Sequence, residues 1–312
     1  MQVINHERRA HPAGAAFSTW TASDGWKLRR MDWPQPAERE ARGSLVFAGG
    51  RADFIEKYLE PLGHWHTRGW NVTSFDWRGQ GQSRGTIAGG NLTDFEPLVR
   101  DGAELIEDVI AAEPGPHVAI GHSMGGHLLL RILAERRPAL TAAVLVAPML
   151  AVNSAPLPPA LGRLAARCMG ALSPDMPVWG ERGALAQNGR VRQANLTHCD
   201  ERFADEAWWK EREPDFHLGP PSWGWLQAAF RSTSSHDEAA LRRVQVPVLL
   251  LGAERDRLVD PRAIRRAARL LPKAELQMFD RSAHEILRET DEVRLAALAR
   301  IDSFLDEHAP AS

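Results

Sequence analysis

The segment from His117 to His127, His-Val-Ala-Ile-Gly-His-Ser-Met-Gly-Gly-His, changes character at one residue, Ser123. Before it, Val118, Ala119 and Ile120 form a short apolar run of the kind that makes a buried parallel strand. After it, Leu128, Leu129, Leu130, Ile132 and Leu133 recur as the core face of a helix. A strand therefore runs into a helix at a serine. Gly121, Ser123 and Gly125 supply Gly-x-Ser-x-Gly, whose spacing has a steric reason: a strand that turns straight into a helix brings two backbones together, and side chains two before and two after the turn would collide. Such a turn holds the serine in a strained conformation with its hydroxyl above the sheet edge. The amide of Met124, at the helix start, points into the same space and is the first candidate donor to a developing oxyanion. The plainer reading is a glycine-rich turn with an incidental serine; the strand before it and the helix after it favour a nucleophile. A serine hydroxyl needs a base, and the base an orienting acid.

Working outward, Phe17 to Trp33 holds two alternating stretches split by Ser23-Asp24-Gly25, the pattern of an antiparallel hairpin at a sheet edge. Ser44 to Ala48 is a short apolar strand that runs into Gly49-Gly50-Arg51, and helical spacing follows through Phe54, Tyr58, Leu59 and Leu62. Ligands in open α/β sheets bind beyond the carboxyl ends of the strands, so the amide of Arg51 is the second candidate oxyanion donor. A merely tight β-to-α turn is the alternative there. Trp70 to Asp76 predicts the next strand. The following Gly79 and Gly81 do not suit a dinucleotide loop, because the third glycine is misplaced and no helix opens there. A helix over about 94–112 leads to the serine strand, and Ala142 to Ala147 supplies the strand after the serine helix.

Strands alternating with helices at this rhythm predict a mainly parallel sheet covered on both faces. The rhythm stops between about 149 and 238, which divides the chain into a core of 1–148 and 239–312 and an inserted cap over 149–238. Five of the chain's eleven tryptophans lie in the insert: Trp179, Trp208, Trp209, Trp223 and Trp225. They pack the lobe itself, line an acyl-chain pocket, or do both at once. Pro158 to Leu172 is amphipathic, with Arg163 and Arg167 one helical turn apart, and offers a peripheral membrane contact through the cap beside the plainer reading of a solvated helix face.

At 312 residues and 44% hydrophobic, the chain buries one large core. A net charge of −2 provides no bulk field for nucleic acid, so no nucleic-acid partner is expected. Cys168 and Cys199 have no metal-like spacing and are too few for a disulfide framework, as in a reducing compartment. The first residues have no apolar signal core, and no apolar run approaches the ~18 residues that span a bilayer. The expected location is cytoplasmic, peripheral to the inner membrane.

Past the insert, the buried-strand run Val246 to Leu251 ends in Gly252-Ala253-Glu254-Arg255-Asp256, and a last strand, Glu275 to Phe279, ends in Asp280-Arg281-Ser282-Ala283-His284. Parallel strands end at one edge, so Asp256 and His284 converge on Ser123. His284 is the candidate general base and Asp256 the acid that orients it. Glu254, Asp260 and Asp280 are alternative acids, and His236 is a reserve base. His122, His127, His64 and His66 do not follow a last strand.

The elbow Gly121-His122-Ser123-Met124-Gly125-Gly126, the loop Phe75-Asp76-Trp77-Arg78-Gly79-Gln80-Gly81-Gln82-Ser83 and the segment Ala283-His284-Glu285-Ile286-Leu287-Arg288-Glu289 together resemble the α/β-hydrolase group that contains bacterial lysophospholipase L2 and monoacylglycerol lipases. The resemblance covers nearly the whole chain. Monoacylglycerol lipases carry a His-Gly pair where this chain has Gly49-Gly50, whereas the stretch from Gly50-Arg51 to Lys57-Tyr58 is more like the bacterial branch. The resemblance implies an α/β-hydrolase fold with an eight-stranded sheet and a helical cap, and hydrolysis of a small-molecule ester bearing one acyl chain. No metal or organic cofactor is required for that chemistry. An amidase or peptidase on the same residues, and a non-catalytic ligand-binding protein of the same fold, are the alternatives.

Overall fold

The computed structural model describes residues 6–87, 90–154, 157–178, 189–235 and 238–311. Its centre is one eight-stranded sheet: β1 (Ala16–Thr21), β2 (Lys27–Trp33), β3 (Gly43–Ala48), β4 (Trp70–Phe75), β5 (His117–His122), β6 (Ala142–Val146), β7 (Val248–Ala253) and β8 (Ala274–Phe279). The spatial order is β1-β2-β4-β3-β5-β6-β7-β8. The hairpin β1–β2 joins antiparallel at one edge, and every pairing from β4 to β8 is parallel. The serine strand β5 is therefore central, with β3 on one side and β6 on the other.

Alternation along the central strands builds two cores, because successive side chains of a strand face opposite ways. Val46, Ala119, Leu145 and Leu250 pack on one face with helices α2 (Glu96–Ala112), α3 (Met124–Glu135) and, later in the chain, Pro261–Leu270. Leu45, Phe47, Ile120, Val144 and Leu251 pack on the other face with α1 (Leu59–Thr67) and the C-terminal helix Asp291–His308. Burial on both faces explains why β3, β6 and β7 read as unbroken apolar runs. The helical spacing seen after Asp53 resolves into a single 3₁₀ turn, Ile55–Tyr58, before α1 begins.

Between β6 and β7 the chain leaves the sheet for α4 (Pro159–Leu172), α5 (Arg190–Leu196), α6 (Asp200–Arg212), α7 (Trp223–Thr233) and α8 (Glu238–Arg242); α9 is Pro261–Leu270 and α10 Asp291–His308. Helix α4 lies against α7 through its small residues: a Cβ on Gly170 would come within 2.7 Å of Gln227, and Ala166 is fully buried. No helix among the described residues is long and apolar enough to cross a membrane.

Candidate active site

Ser123 sits at φ 52°, ψ −115°, a left-handed region that a non-glycine residue occupies at a cost of about 1–3 kcal/mol. Surrounding contacts enforce it. The Ser123 N–H donates to the Val146 carbonyl at 2.9 Å, and its own carbonyl accepts the amides of His127 (3.0 Å) and Met149 (2.9 Å). The glycines of the elbow are required by two different neighbours. A Cβ on Gly121 would lie 2.7 Å from the Gly125 carbonyl oxygen, the expected collision of strand with helix. A Cβ on Gly125 would lie 2.3 Å from the Ala48 carbonyl and 2.4 Å from that of Gly49, so the helix start is pressed against the end of the neighbouring strand β3. The elbow and the glycine-bearing loop after β3 are thus one packing unit.

Ser123, His284 and Asp256 lie in one hydrogen-bonded line. The Asp256 carboxylate only accepts, so His284 Nδ1–H donates to its Oδ2 at 2.7 Å; this leaves Nε2 as the acceptor of the Ser123 hydroxyl at 2.8 Å. Ser123 remains partly exposed while His284 and Asp256 are buried. Asp256 is itself fixed by the amides of Leu258 (2.8 Å) and Val259 (3.1 Å) on its other oxygen. Burial alone would raise the Asp256 carboxyl; the adjacent His284 and the two amides outweigh it and hold the carboxyl below its ordinary value. Burial alone would likewise depress His284, and Asp256 more than offsets this, raising the imidazole above 6.5. The alternative acids serve other purposes. Asp260 caps α9 through the Arg262 amide, Glu254 pairs with Arg265, and Asp280 is exposed beyond β8. His236 and Trp179 lie outside the described residues.

The loop after β3 lies against Ser123: a Cβ on Gly50 would be 3.0 Å from Ser123 Cβ. The Gly50 amide is taken by Asp53 Oδ2 at 2.6 Å. The amides of Arg51 and Met124, by contrast, donate to no protein acceptor among the described residues. The glutamine-bearing loop after β4 braces this turn, with the Ala52 amide donating to Gln80 Oε1 at 2.6 Å and Trp77 Nε1 to the Gly49 carbonyl at 2.8 Å. Asp76 holds that brace through the amides of Ile55 and Gln82, and burial pushes its pKa up to about 6 against the pull of Arg29.

Sequence reasoning missed the charged cluster beneath the loop. Lys57, buried, places Nζ 2.6 Å from Asp53 Oδ1, 2.6 Å from Glu285 Oε1 and 3.3 Å from Glu206 Oε2. Glu206 also takes Arg192 (2.5 Å), Lys210 and Arg288 (3.5 Å). Burial opposes the charge on Lys57, yet its three carboxylates push its pKa up to about 12. The same cation helps hold Asp53 ionised, whereas burial and the Asp53 charge push the Tyr58 hydroxyl well above 10. Asp53 Oδ2 also lies 3.0 Å from the Tyr58 hydroxyl and 3.2 Å from His122 Nδ1, and the His122 ring stands 5.0 Å from that of His284. The pairs 53/57, 206/210 and 285/288 have the i,i+3 or i,i+4 spacing that suggests contact; what joins the three pairs to one another lies too far apart along the chain to be read from it.

Of the tryptophans in the insert, Trp209 and Trp225 fasten it to the sheet rather than forming a separate lobe core. Trp209 donates Nε1 to the Arg8 carbonyl at 3.0 Å and stacks on His11, while Trp225 packs near Phe95 and under the Arg51 guanidinium. Among the described residues, Glu275, Glu307 and His308 gather their side-chain ligand atoms at the surface, where Glu275 already pairs with Arg300 and His308.

Comparison with known proteins places this geometry in context. The probable lysophospholipase L2 of Haemophilus influenzae is 28% identical over 283 residues, covering 90% of this chain and 88% of that protein. The monoglyceride lipase of Mus musculus is 26% identical over 251 residues, covering 77% and 75% respectively. A soluble variant of the Saccharomyces cerevisiae monoglyceride lipase, solved with a substrate analog, superposes with a TM-score of 0.74 at 17% identity over 97% of this chain and 99% of that one; this likeness is one of fold. The family described as serine aminopeptidase, S33, matches residues 39–291. An eight-stranded α/β-hydrolase sheet, a strained serine elbow on its central strand and a family match over most of the sequence together mean that this chain belongs to the serine aminopeptidase S33 family of α/β hydrolases.

Proposed function

We propose that this protein hydrolyses carboxylic esters of single-acyl lipids, lysophospholipids or monoacylglycerols, through an acyl-enzyme on Ser123. The observation that carries the reading is the continuous line from Ser123 Oγ through His284 to Asp256 beside two unclaimed amides. Relatives named lysophospholipase and monoglyceride lipase support the substrate class. As Ser123 Oγ attacks the ester carbonyl, His284 Nε2 takes its proton, and the amides of Arg51 and Met124 receive the oxyanion. The imidazolium then returns the proton to the departing alkoxide. A water deprotonated by the same nitrogen releases the fatty acid, and Asp256 holds the ring and stabilises its charged form throughout. Residues 1–148 and 239–312 form the hydrolase core in this reading, and 149–238 the cap that contacts the acyl lipid.

A fluorophosphonate probe is expected to label the wild type at Ser123 and to leave Ser123→Ala unlabelled, as read by intact mass. A folded wild type that resists the probe would overturn the assignment and favour a binding protein. The family description, serine aminopeptidase, supports a second reading in which an amide is cleaved. A panel of a monoacylglycerol, a lysophospholipid and aminoacyl anilides separates the two, with turnover of the esters alone expected.

The cap also supports a location at the cytoplasmic face of the inner membrane. Helix α4 buries Gly162, Ala166 and Gly170, and turns Leu161 (52% exposed), Leu164 (56%) and Leu172 (78%) outward beside exposed Arg163 and Arg167. Leucines flanked by arginines suit an anionic lipid surface. The double variant Leu161→Glu/Leu164→Glu is expected to lose co-sedimentation with anionic vesicles while keeping turnover of a water-soluble short-chain ester. Undiminished co-sedimentation would remove this face from membrane binding.

A further inference from the structure

Beside the loop after β3 lies a cavity of about 520 Å³, within the usual range of about 300–1,000 Å³ for a small-molecule site. Arg51 and Ala52 form one wall. Helix α6, with Phe203, Glu206 and Lys210, and the segment 217–221 form much of the rest. Arg51 connects this cavity to the reaction: its backbone follows the glycine packed on Ser123, and its side chain lines the cavity.

Among the described residues, the charges that line the cavity do not balance: Arg51, Arg192 and Lys210 stand against Glu206 and Glu211, and Glu206 is shared further with Lys57 and Arg288. Arg51 pairs with no carboxylate among the described residues. One of its Nη atoms donates to the Gly219 carbonyl at 2.9 Å, its guanidinium lies over Trp225, and its Nε is buried without an acceptor. The remaining carboxylate in the lining, Glu211, is exposed. Burial lowers the pKa of Arg51, to about 10, and those of Lys210 and His217, which is what cations and a neutral imidazole do where negative charge is scarce. A partly desolvated guanidinium with a free donor favours a phosphate oxygen.

We propose that this cavity receives the phosphodiester headgroup of a single-acyl glycerophospholipid, with Arg51 and Lys210 as the residues that select it over a neutral monoacylglycerol. The inference rests on the ester-hydrolase reading above and narrows its substrate class. Arg51 follows the glycine packed on Ser123, and its side chain spans about as many bonds from Cα to its terminal nitrogens as such a lipid spans from its ester carbonyl to phosphorus, so a headgroup directed along that side chain is long enough to meet the guanidinium. The acyl chain then occupies a different part of the site, and a neutral headgroup leaves the cations unsatisfied.

The test compares kcat/KM for 1-palmitoyl lysophosphatidylethanolamine and 1-palmitoylglycerol in the same mixed micelles. Arg51→Gln and, separately, Lys210→Gln are each expected to lower the ratio of the two about tenfold or more, the loss typical of a hydrogen bond to a charged group. The ratio is insensitive to any disturbance of the Arg51 backbone amide, which serves both esters alike. Ratios unchanged in both variants would overturn the proposal. Glycerophosphoethanolamine is expected to inhibit wild-type hydrolysis of the neutral ester far more strongly than inorganic phosphate does; equal inhibition would assign the cavity to free phosphate and overturn it too. A wild type that cleaves neither ester sinks the ester-hydrolase reading itself, a separate result.

Discussion

Replacing His284 by alanine is expected to reduce kcat for a single-acyl ester about 10⁴- to 10⁶-fold, the scale at which members of such a relay act as one unit. Among the described residues the ring is the sole link between Ser123 Oγ at 2.8 Å and Asp256 at 2.7 Å, so its removal is expected to leave the serine without a base. Stopped assays combined with fluorophosphonate labelling measure this loss, and a variant within tenfold of the wild type would remove His284 from the mechanism. The pH profile supplies a second readout. His284 acts as a base only when neutral, and its pKa is raised above 6.5 because Asp256 outweighs the effect of burial. Wild-type kcat/KM is therefore expected to rise with pH along a limb whose midpoint lies above 6.5. Stability moves in the opposite sense: the contribution from the raised imidazole pKa is complete below 6.5 and disappears as pH climbs through the folded value. An acid limb centred below 6.5 would contradict the pairing with Asp256.

The second large effect is expected in stability. Lys57→Met removes a buried ammonium shared by Asp53, Glu285 and Glu206, leaving carboxylates whose burial was tolerated because of it. Breaking a buried ion cluster from one side costs about 3–5 kcal/mol. Arg288 still reaches Glu285 and Glu206, whereas Asp53 has no other Lys or Arg partner among the described residues and bears the greatest change. Because Asp53 Oδ2 holds the Gly50 amide at 2.6 Å, a shift there also loosens the turn that presents the Arg51 amide. Urea denaturation of the variant is expected to show the full loss, together with a lower kcat at nearly unchanged KM. A loss below about 1 kcal/mol would mean that the cluster contributes little and that the turn is held by packing alone.

Much of this architecture was legible because its causes are local. Unbroken apolar runs at β3, β5, β6 and β7 come from strands buried on both faces, and the Gly121-x-Ser123-x-Gly125 spacing comes from a turn with room for no Cβ at the glycines. Asp256 and His284 were legible because parallel strands all finish at one edge, which places residues far apart in sequence within reach of one another. The joining of the Asp53–Lys57 pair to Glu206 and Glu285 was not legible. Salt-bridge partners separated by more than a hundred residues follow no periodicity, and an isolated buried lysine looks like any surface lysine in a helical pattern.

The direction of the Arg51 side chain belongs with what was hidden. The sequence placed its backbone at the end of a strand; whether the guanidinium turned to solvent, to Ser123 or to the cap depended on where Trp225 and Gly219 came to lie. By itself, then, the sequence determined the sheet, the elbow and the places of Ser123, Asp256 and His284 at the ends of their strands, since these follow from steric limits and periodicity acting over a few residues. Tertiary structure alone decided which charges share a buried site and which cation lacks a carboxylate partner, because electrostatic energy depends on distances through space and on exclusion of water, and neither is written along the chain.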